Sequence, residues 1–250
     1  MKLRTILSKA VLPSLLAITA STANAAVVAF VGADTTTSGD WRTATTVKAL
    51  DADGNNRYGT DGYLVIGTPT VQPSYATAAP AAGALTFAAG SDAGVTYTFI
   101  DNPAGGPDFE TGVIYKFGTI PDENQSLAVI TVGSASSFRL GVMIDNSDVS
   151  LISPGMLQIL QTAGSGAGNS GLIGSQVEGN LDTDWYFFDI TGALPGDTFT
   201  VFGTNIGGSL PLSPEDSNGI GGLTFDTIPE PTTASLGLIG ALALLRRRRA

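Results

Sequence analysis

The sequence predicts an all-β protein whose body is an antiparallel β-sandwich, on three observations. Short runs of β-branched and aromatic residues recur through residues 26–228, bounded by Gly, Pro, Asn or Asp. No part of that body sustains a helical period. Apolar residues form 43% of the 250, enough for a packed core, while 32 glycines and 13 prolines supply frequent turns.

The first expected strand, residues 27–31, is a Val-Val-Ala-Phe-Val run that meets Gly32. Residues 45–50 follow and stop at a polar loop over 51–62. Residues 63–66 lie between Gly62 and Gly67, and 85–88, 95–100 and 112–117 are short runs separated by Gly, Pro and Asp. Residues 127–132 end at Gly133, and 137–144 end at Asp145. Residues 156–160, 185–190, 198–202 and 222–225 complete the set. Longer loops are expected at 69–82, 101–108, 161–180 and 205–219. Many short strands separated by turn signals favour a sandwich or barrel, with a jelly roll the first choice. No linker divides the body, and about 200 residues fit one large sandwich.

The best-defined expected hairpin joins 185–190 to 198–202 through Pro195-Gly196-Asp197. Tyr186, Phe188 and Ile190 alternate onto one face, with Phe199 and Val201 as partners. Trp185 points the other way and reads as core, or as cover for a sheet edge, in preference to a sugar platform. The Asp182-Thr183-Asp184-Trp185-Tyr186 and Gly196-Asp197 patterns resemble those of the bacterial pre-peptidase C-terminal domain and similar secreted jelly rolls. That resemblance covers roughly twenty residues and implies a fold only.

Composition removes several chemistries. The chain has no histidine and no cysteine, which excludes Ser-His-Asp and Cys-His relays, ordinary zinc, haem or iron–sulfur sites, and disulfides. Residues 26–228 carry 21 acidic against 5 basic side chains, a net charge of −16. Such a body repels phosphate backbones, so nucleic acid is not an expected partner. Most of these carboxylates read as a solubilising surface.

Both ends read as targeting segments. Lys2, Arg4 and Lys9 precede an apolar run over residues 10–20, and Ala23-Asn24-Ala25 supplies a small-x-small cleavage site. Residues 1–25 are therefore an expected signal peptide, engaging the secretion machinery, with Ala26 the mature N-terminus. The other end carries Pro229-Glu230-Pro231, an uncharged stretch over 232–245, then Arg246, Arg247, Arg248 and Arg249. As a helix, 14 residues reach about 21 Å, short of a hydrocarbon core of about 30 Å. The arginines hold their side in the cytoplasm and leave the body outside.

This tripartite tail resembles the PEP-CTERM sorting signal of Gram-negative bacteria, over residues 229–250. The resemblance implies recognition of Pro229, Glu230 and Pro231 by an exosortase, a membrane transpeptidase-like protease. It also implies an association with exopolysaccharide and biofilm-type matrices, reached through an intermediate in the cytoplasmic membrane. The competing reading is a plain C-terminal membrane anchor.

Candidate sites in the body are few. Asp51, Asp53, Asn55 and Asp61 place oxygen ligands at spacings suited to Ca²⁺. An EF-hand is excluded, because Asn56 replaces the expected Gly and Gly62 the expected Glu. The sequence leaves a β-loop calcium site and an Asx-rich turn as the two readings. Gly166-Ala167-Gly168-Asn169-Ser170-Gly171 matches the dinucleotide spacing, but no amphipathic helix follows, and it reads as a Gly/Ser loop. Glu110, Glu123, Glu178 and Glu215 are the body's glutamates, and no spacing pairs any two for glycoside hydrolysis.

Three classes of function follow: a surface or matrix protein that binds extracellular polysaccharide, a purely structural envelope protein, and a carbohydrate-active enzyme using paired carboxylates. The first is preferred, with no enzymatic activity expected. If residues 51–62 bind calcium, mutual repulsion of their carboxylates is relieved and folding is stabilised by mass action. The unfolding midpoint of the processed protein should then rise with Ca²⁺ and not with NaCl of equal ionic strength. An unchanged midpoint, or the same rise in an Asp51→Ala/Asp53→Ala variant, would remove the site.

Overall fold

Strand side chains alternate between two faces, so a strand with large apolar groups at every second position commits one face to a core. The computed structural model describes residues 25–35, 58–87, 99–100, 109–110, 112–116, 124–134, 136–145, 154–164, 166–168, 170–173, 183–205 and 219–228. In chain order the strands are β1 (Val27–Asp34), β2 (Gly62–Val65), β3 (Ala76–Pro80), β4 (Leu85–Phe87), β5 (Phe99–Ile100), β6 (Phe109–Glu110), β7 (Val113–Tyr115) and β8 (Asn124–Val132). They continue with β9 (Ser136–Asp145), β10 (Pro154–Ala163), β11 (Ser170–Ile173), β12 (Thr183–Ala193), β13 (Thr198–Asn205), β14 (Gly219–Ile220) and β15 (Gly222–Thr227). There is no helix among the described residues.

Two five-stranded sheets carry the fold, ordered β1-β12-β9-β15-β2 and β11-β10-β13-β8-β3. Their described strand pairs are antiparallel. One buried core joins them: Phe138, Leu140, Val142, Tyr186, Phe188, Ile190, Leu223 and Phe225 from the first sheet meet Leu127, Ile130, Leu157, Ile159, Phe199 and Val201 from the second. The sheet β14-β7-β4 adds Ile114 and Ile220 to that core.

The expected hairpin at 185–202 is corrected by this arrangement. β12 belongs to the first sheet and β13 to the second, so the turn between them crosses from one sheet to the other. Tyr186, Phe188 and Ile190 do share a core with Phe199 and Val201, but across the sandwich and not along one ladder. The physical reason lies in pairing: β12 bonds β1 and β9, and β13 bonds β10 and β8, leaving neither an edge for the other. Two other expectations change. The loop expected at 69–82 contains β3, and the loop expected at 161–180 holds the end of β10 and all of β11. The alanines of β3 carry weak strand propensity and are held by pairing with β8. Expected strands 45–50 and most of 95–100, and the apolar C-terminal segment, lie outside the described residues.

The free edge of β3 is closed by a side chain. The Gln72 amide donates to the Ala78 carbonyl at 2.8 Å and accepts from the Ala78 N–H at 2.7 Å, standing in for a neighbouring strand. Pro80, at the end of the same strand, has no N–H to offer. Such blunting denies an incoming chain a template.

The crossing turn is built by Leu194-Pro195-Gly196-Asp197. Asp197 N–H donates to the Leu194 carbonyl at 3.0 Å, and Leu194 N–H donates back to the Asp197 carboxylate at 2.9 Å. Gly196 N–H and the Asp197 carbonyl then bond Val132 at the end of β8. Gly196 sits at φ +90°, where a Cβ would meet nothing within 4 Å, so only its backbone freedom is needed. Gly196→Ala should therefore lower stability by about 1–2 kcal/mol, the cost of the left-handed region for an L-residue. Gly196→Asn should lose less, because Asn tolerates that region. Urea unfolding at neutral pH checks both, and an unperturbed Gly196→Ala midpoint would contradict the turn assignment.

Candidate functional site

The first sheet uses its outer face as well as its core face. β12 places Trp185 and Phe187 there, β9 places Met143, and β2 places Tyr63 and Val65, forming a second buried cluster with Tyr58. Trp185 is fully buried, in agreement with its reading as core and not as a sugar platform. Tyr58 lies over the sheet with ring centroids 4.5 Å from Phe187 and 5.5 Å from Trp185. Its hydroxyl donates to the Asp34 carboxylate at 2.6 Å. Gly141, directly opposite both Phe187 and Thr224, leaves room for them; a Cβ there would press on the Phe187 ring at 3.0 Å.

Towards the end of the sheet where β15 finishes, the outer face becomes polar. Asp189, Arg139 and Asp226 occupy one row across β12, β9 and β15. Arg139 forms a two-pronged ion pair with Asp189, at 2.7 Å from Nε and 3.1 Å from Nη2. Partly exposed pairs of this kind contribute little to stability, roughly 0–1 kcal/mol.

Asp226 faces the chain that leads into β2. It accepts from Gly59 N–H at 2.9 Å, Thr60 N–H at 2.7 Å and the Thr60 hydroxyl at 2.8 Å. Asp61, the next residue, accepts from the Tyr75 hydroxyl at 3.2 Å and from the Thr227 hydroxyl. Two neighbouring carboxylates thus tie the 58–61 segment, Tyr75 and the end of β15 together. Burial is the largest influence on Asp226 and raises its pKa; the backbone N–H groups of Thr60 and Gly59 oppose this, and the charge of Asp61 adds to it. Burial, then the adjacent Asp61 charge, pushes the Tyr75 phenol well above its ordinary value, so it stays a donor.

Of the proposed calcium ligands, only Asp61 falls among the described residues; Asp51, Asp53 and Asn55 lie outside them. No group of three or more acidic side chains suited to a metal ion occurs among the described residues. Asp61 is brought beside Asp226, a residue at the far end of the chain that no local spacing connects to it. Among the glutamates, Glu110 lies on β6, and Glu123, Glu178 and Glu215 are outside the described residues. The glycine motif at 166–171 joins β10 to β11, with Gly168 N–H bonding the Gln161 carbonyl at 2.8 Å, and a strand follows it. Ala23, Pro229, Glu230, Pro231 and Arg246–Arg249 lie outside the described residues. Ala25 is half-buried, and Ala26, the expected mature N-terminus, is buried in the sandwich core at the start of β1.

No known family model, curated protein or solved structure matches this chain.

Chemically, the Asp61–Asp226 cluster is a latch with a titratable member. Its donors all come from this chain, so it fixes the 58–61 segment onto the sheet. Because the folded state raises the Asp226 pKa, it favours the neutral carboxyl. The stabilisation from Asp226 is therefore full below its unfolded pKa and is lost as pH rises through the folded value. Wild-type stability should fall relative to Asp226→Asn as pH is raised from about 4 to 7. Parallel denaturant titrations of the two proteins isolate this effect from the other carboxylates. A difference independent of pH would contradict it.

Proposed function

We propose that this protein is exported and sorted to the cell surface or extracellular matrix of a Gram-negative-type bacterium through a PEP-CTERM signal. The observation that carries the reading is the pairing of two targeting signals at opposite ends of one chain. Residues 1–25 form a signal peptide cleaved after Ala25; Pro229-Glu230-Pro231, the apolar stretch and Arg246–Arg249 form the sorting segment. The body between them, residues 26–228, serves as a display or matrix domain that engages extracellular polysaccharide, without catalysis and without a required cofactor. Its all-β architecture and its strongly acidic composition suit a protein that stays soluble among neutral glycans.

The strand order supports a jelly roll for this body. Four strands of one sheet run β2-β15-β9-β12 and four of the other run β8-β13-β10-β11, with β1 and β3 added at the edges. From β8 to β10, and again from β11 to β13, each successive strand changes sheet. That alternation is what two interlocked Greek keys require.

A span of about 21 Å suits a processing intermediate better than a permanent anchor. Glu230→Ala should therefore leave the full-length chain in the cytoplasmic membrane of the native host, while wild type accumulates outside it in a shortened form. Membrane fractionation with immunodetection of the body checks this. Equal distribution and equal length of the two proteins would overturn the sorting role and leave a simple anchor.

A further inference from the structure

Both targeting segments join the sandwich at the same end. β1 begins at Val27 and β15 finishes at Thr227, and the registers place Val28, Ile190, Phe138 and Thr227 in one row across β1, β12, β9 and β15. Three strand spacings separate the first from the last, about 14 Å. Among the described residues, this end also carries tightly bonded features. They include the Leu194–Asp197 turn, the Gly133–Ser134 turn bonded to the Tyr75 carbonyl, and the Asp61–Asp226 latch. At the opposite end stand the strand termini Asp34, Asp145, Pro154, Ile173, Thr183 and Asn205. The long connections 145–154, 173–183 and 205–219 therefore depart from that end.

The distance to the membrane is limited by sequence. Only residues 228–231 separate β15 from the uncharged stretch that starts at Thr232. Four extended residues reach at most about 14 Å, and two of these are prolines that stiffen the connection.

We propose that the end of the sandwich bearing Val27, Thr227 and the short turns is a membrane-facing surface, and that the opposite end, with Asp34, Asp145, Pro154, Thr183 and Asn205, faces away from the lipid. This inference rests on the sorting reading above, and its geometry comes from the strand registers. The body then hangs from the bilayer by one end, and both targeting segments reach the membrane without crossing the domain. A ligand meets the far end first.

The chain has no cysteine, so single cysteines report position cleanly. The full-length chain, expressed in a bacterium without an exosortase, would carry Ser134→Cys or Ala167→Cys at the near end, or Pro69→Cys or Ala82→Cys in the far half. All four positions are exposed. Spheroplasts are treated with a bulky maleimide–polyethylene glycol, and each rate is compared with that of the same variant solubilised in detergent. The near-end cysteines should lose most of their reactivity in the membrane, while the far ones keep theirs. Equal retention at both ends, in a chain that sediments with membranes, would overturn the orientation while leaving sorting intact. A chain that does not sediment with membranes would instead overturn the sorting reading, and the orientation with it.

Discussion

The turn from β12 to β13 is the constraint on which the rest of the structure depends. It carries the chain out of one sheet and into the other within four residues, and it does so where large side chains sit on both flanks. Phe188 and Ile190 before the turn, and Phe199 and Val201 after it, are fully buried in one core. The same change of sheet occurs from β8 to β9, β9 to β10 and β11 to β12, so that the apolar faces of both sheets meet in one core. Everything else fits around this crossing: β9 and β1 flank β12, and β10 and β8 flank β13.

Several polar side chains meet backbone groups that lack ladder partners. The Gln72 amide completes an edge strand, the Asp197 carboxylate closes a turn, and Asp226 gathers the N–H groups of Gly59 and Thr60. Each satisfies main-chain groups that the ladders leave over. Burial raises the Asp226 pKa, and the Asp61 charge adds to that rise. The donors from Gly59 and Thr60 oppose that rise without cancelling it. The result is an end of the sandwich stitched by short contacts.

Much of this was legible in the sequence, because period-two alternation is a local signal. The runs at 27–31, 127–132, 137–144 and 222–225 fall within observed strands, and 63–66 overlaps β2 over 63–65. Alternation alone sets Tyr186, Phe188 and Ile190 on one face and Trp185 on the opposite one. What local pattern could not provide was the partner of each strand. Pro195-Gly196-Asp197 specifies a tight turn equally well for a hairpin or for a sheet crossing, and the choice is made by β1, β9, β10 and β8 claiming the edges. β3 was missed because Ala-Thr-Ala-Ala-Pro has little strand propensity and is a strand only through β8. The Asp61–Asp226 latch is invisible to local pattern for a similar reason: the bonds that tie 59–61 to β15 join residues 166 or 167 positions apart.

The registers of β1, β12, β9 and β15 bring the two chain exits to one end of the sandwich. Cysteines introduced at Val27 and Ile228 of the processed protein, spin-labelled and measured by pulsed dipolar spectroscopy, test it directly. Val27 is exposed and Ile228 follows the last strand, so both sites accept a label. The account predicts a backbone separation near 14 Å, three strand spacings, with the label arms added to it. Exits at opposite ends of an eight-residue strand would lie about 27 Å or more apart before the labels are counted, and that result would contradict it.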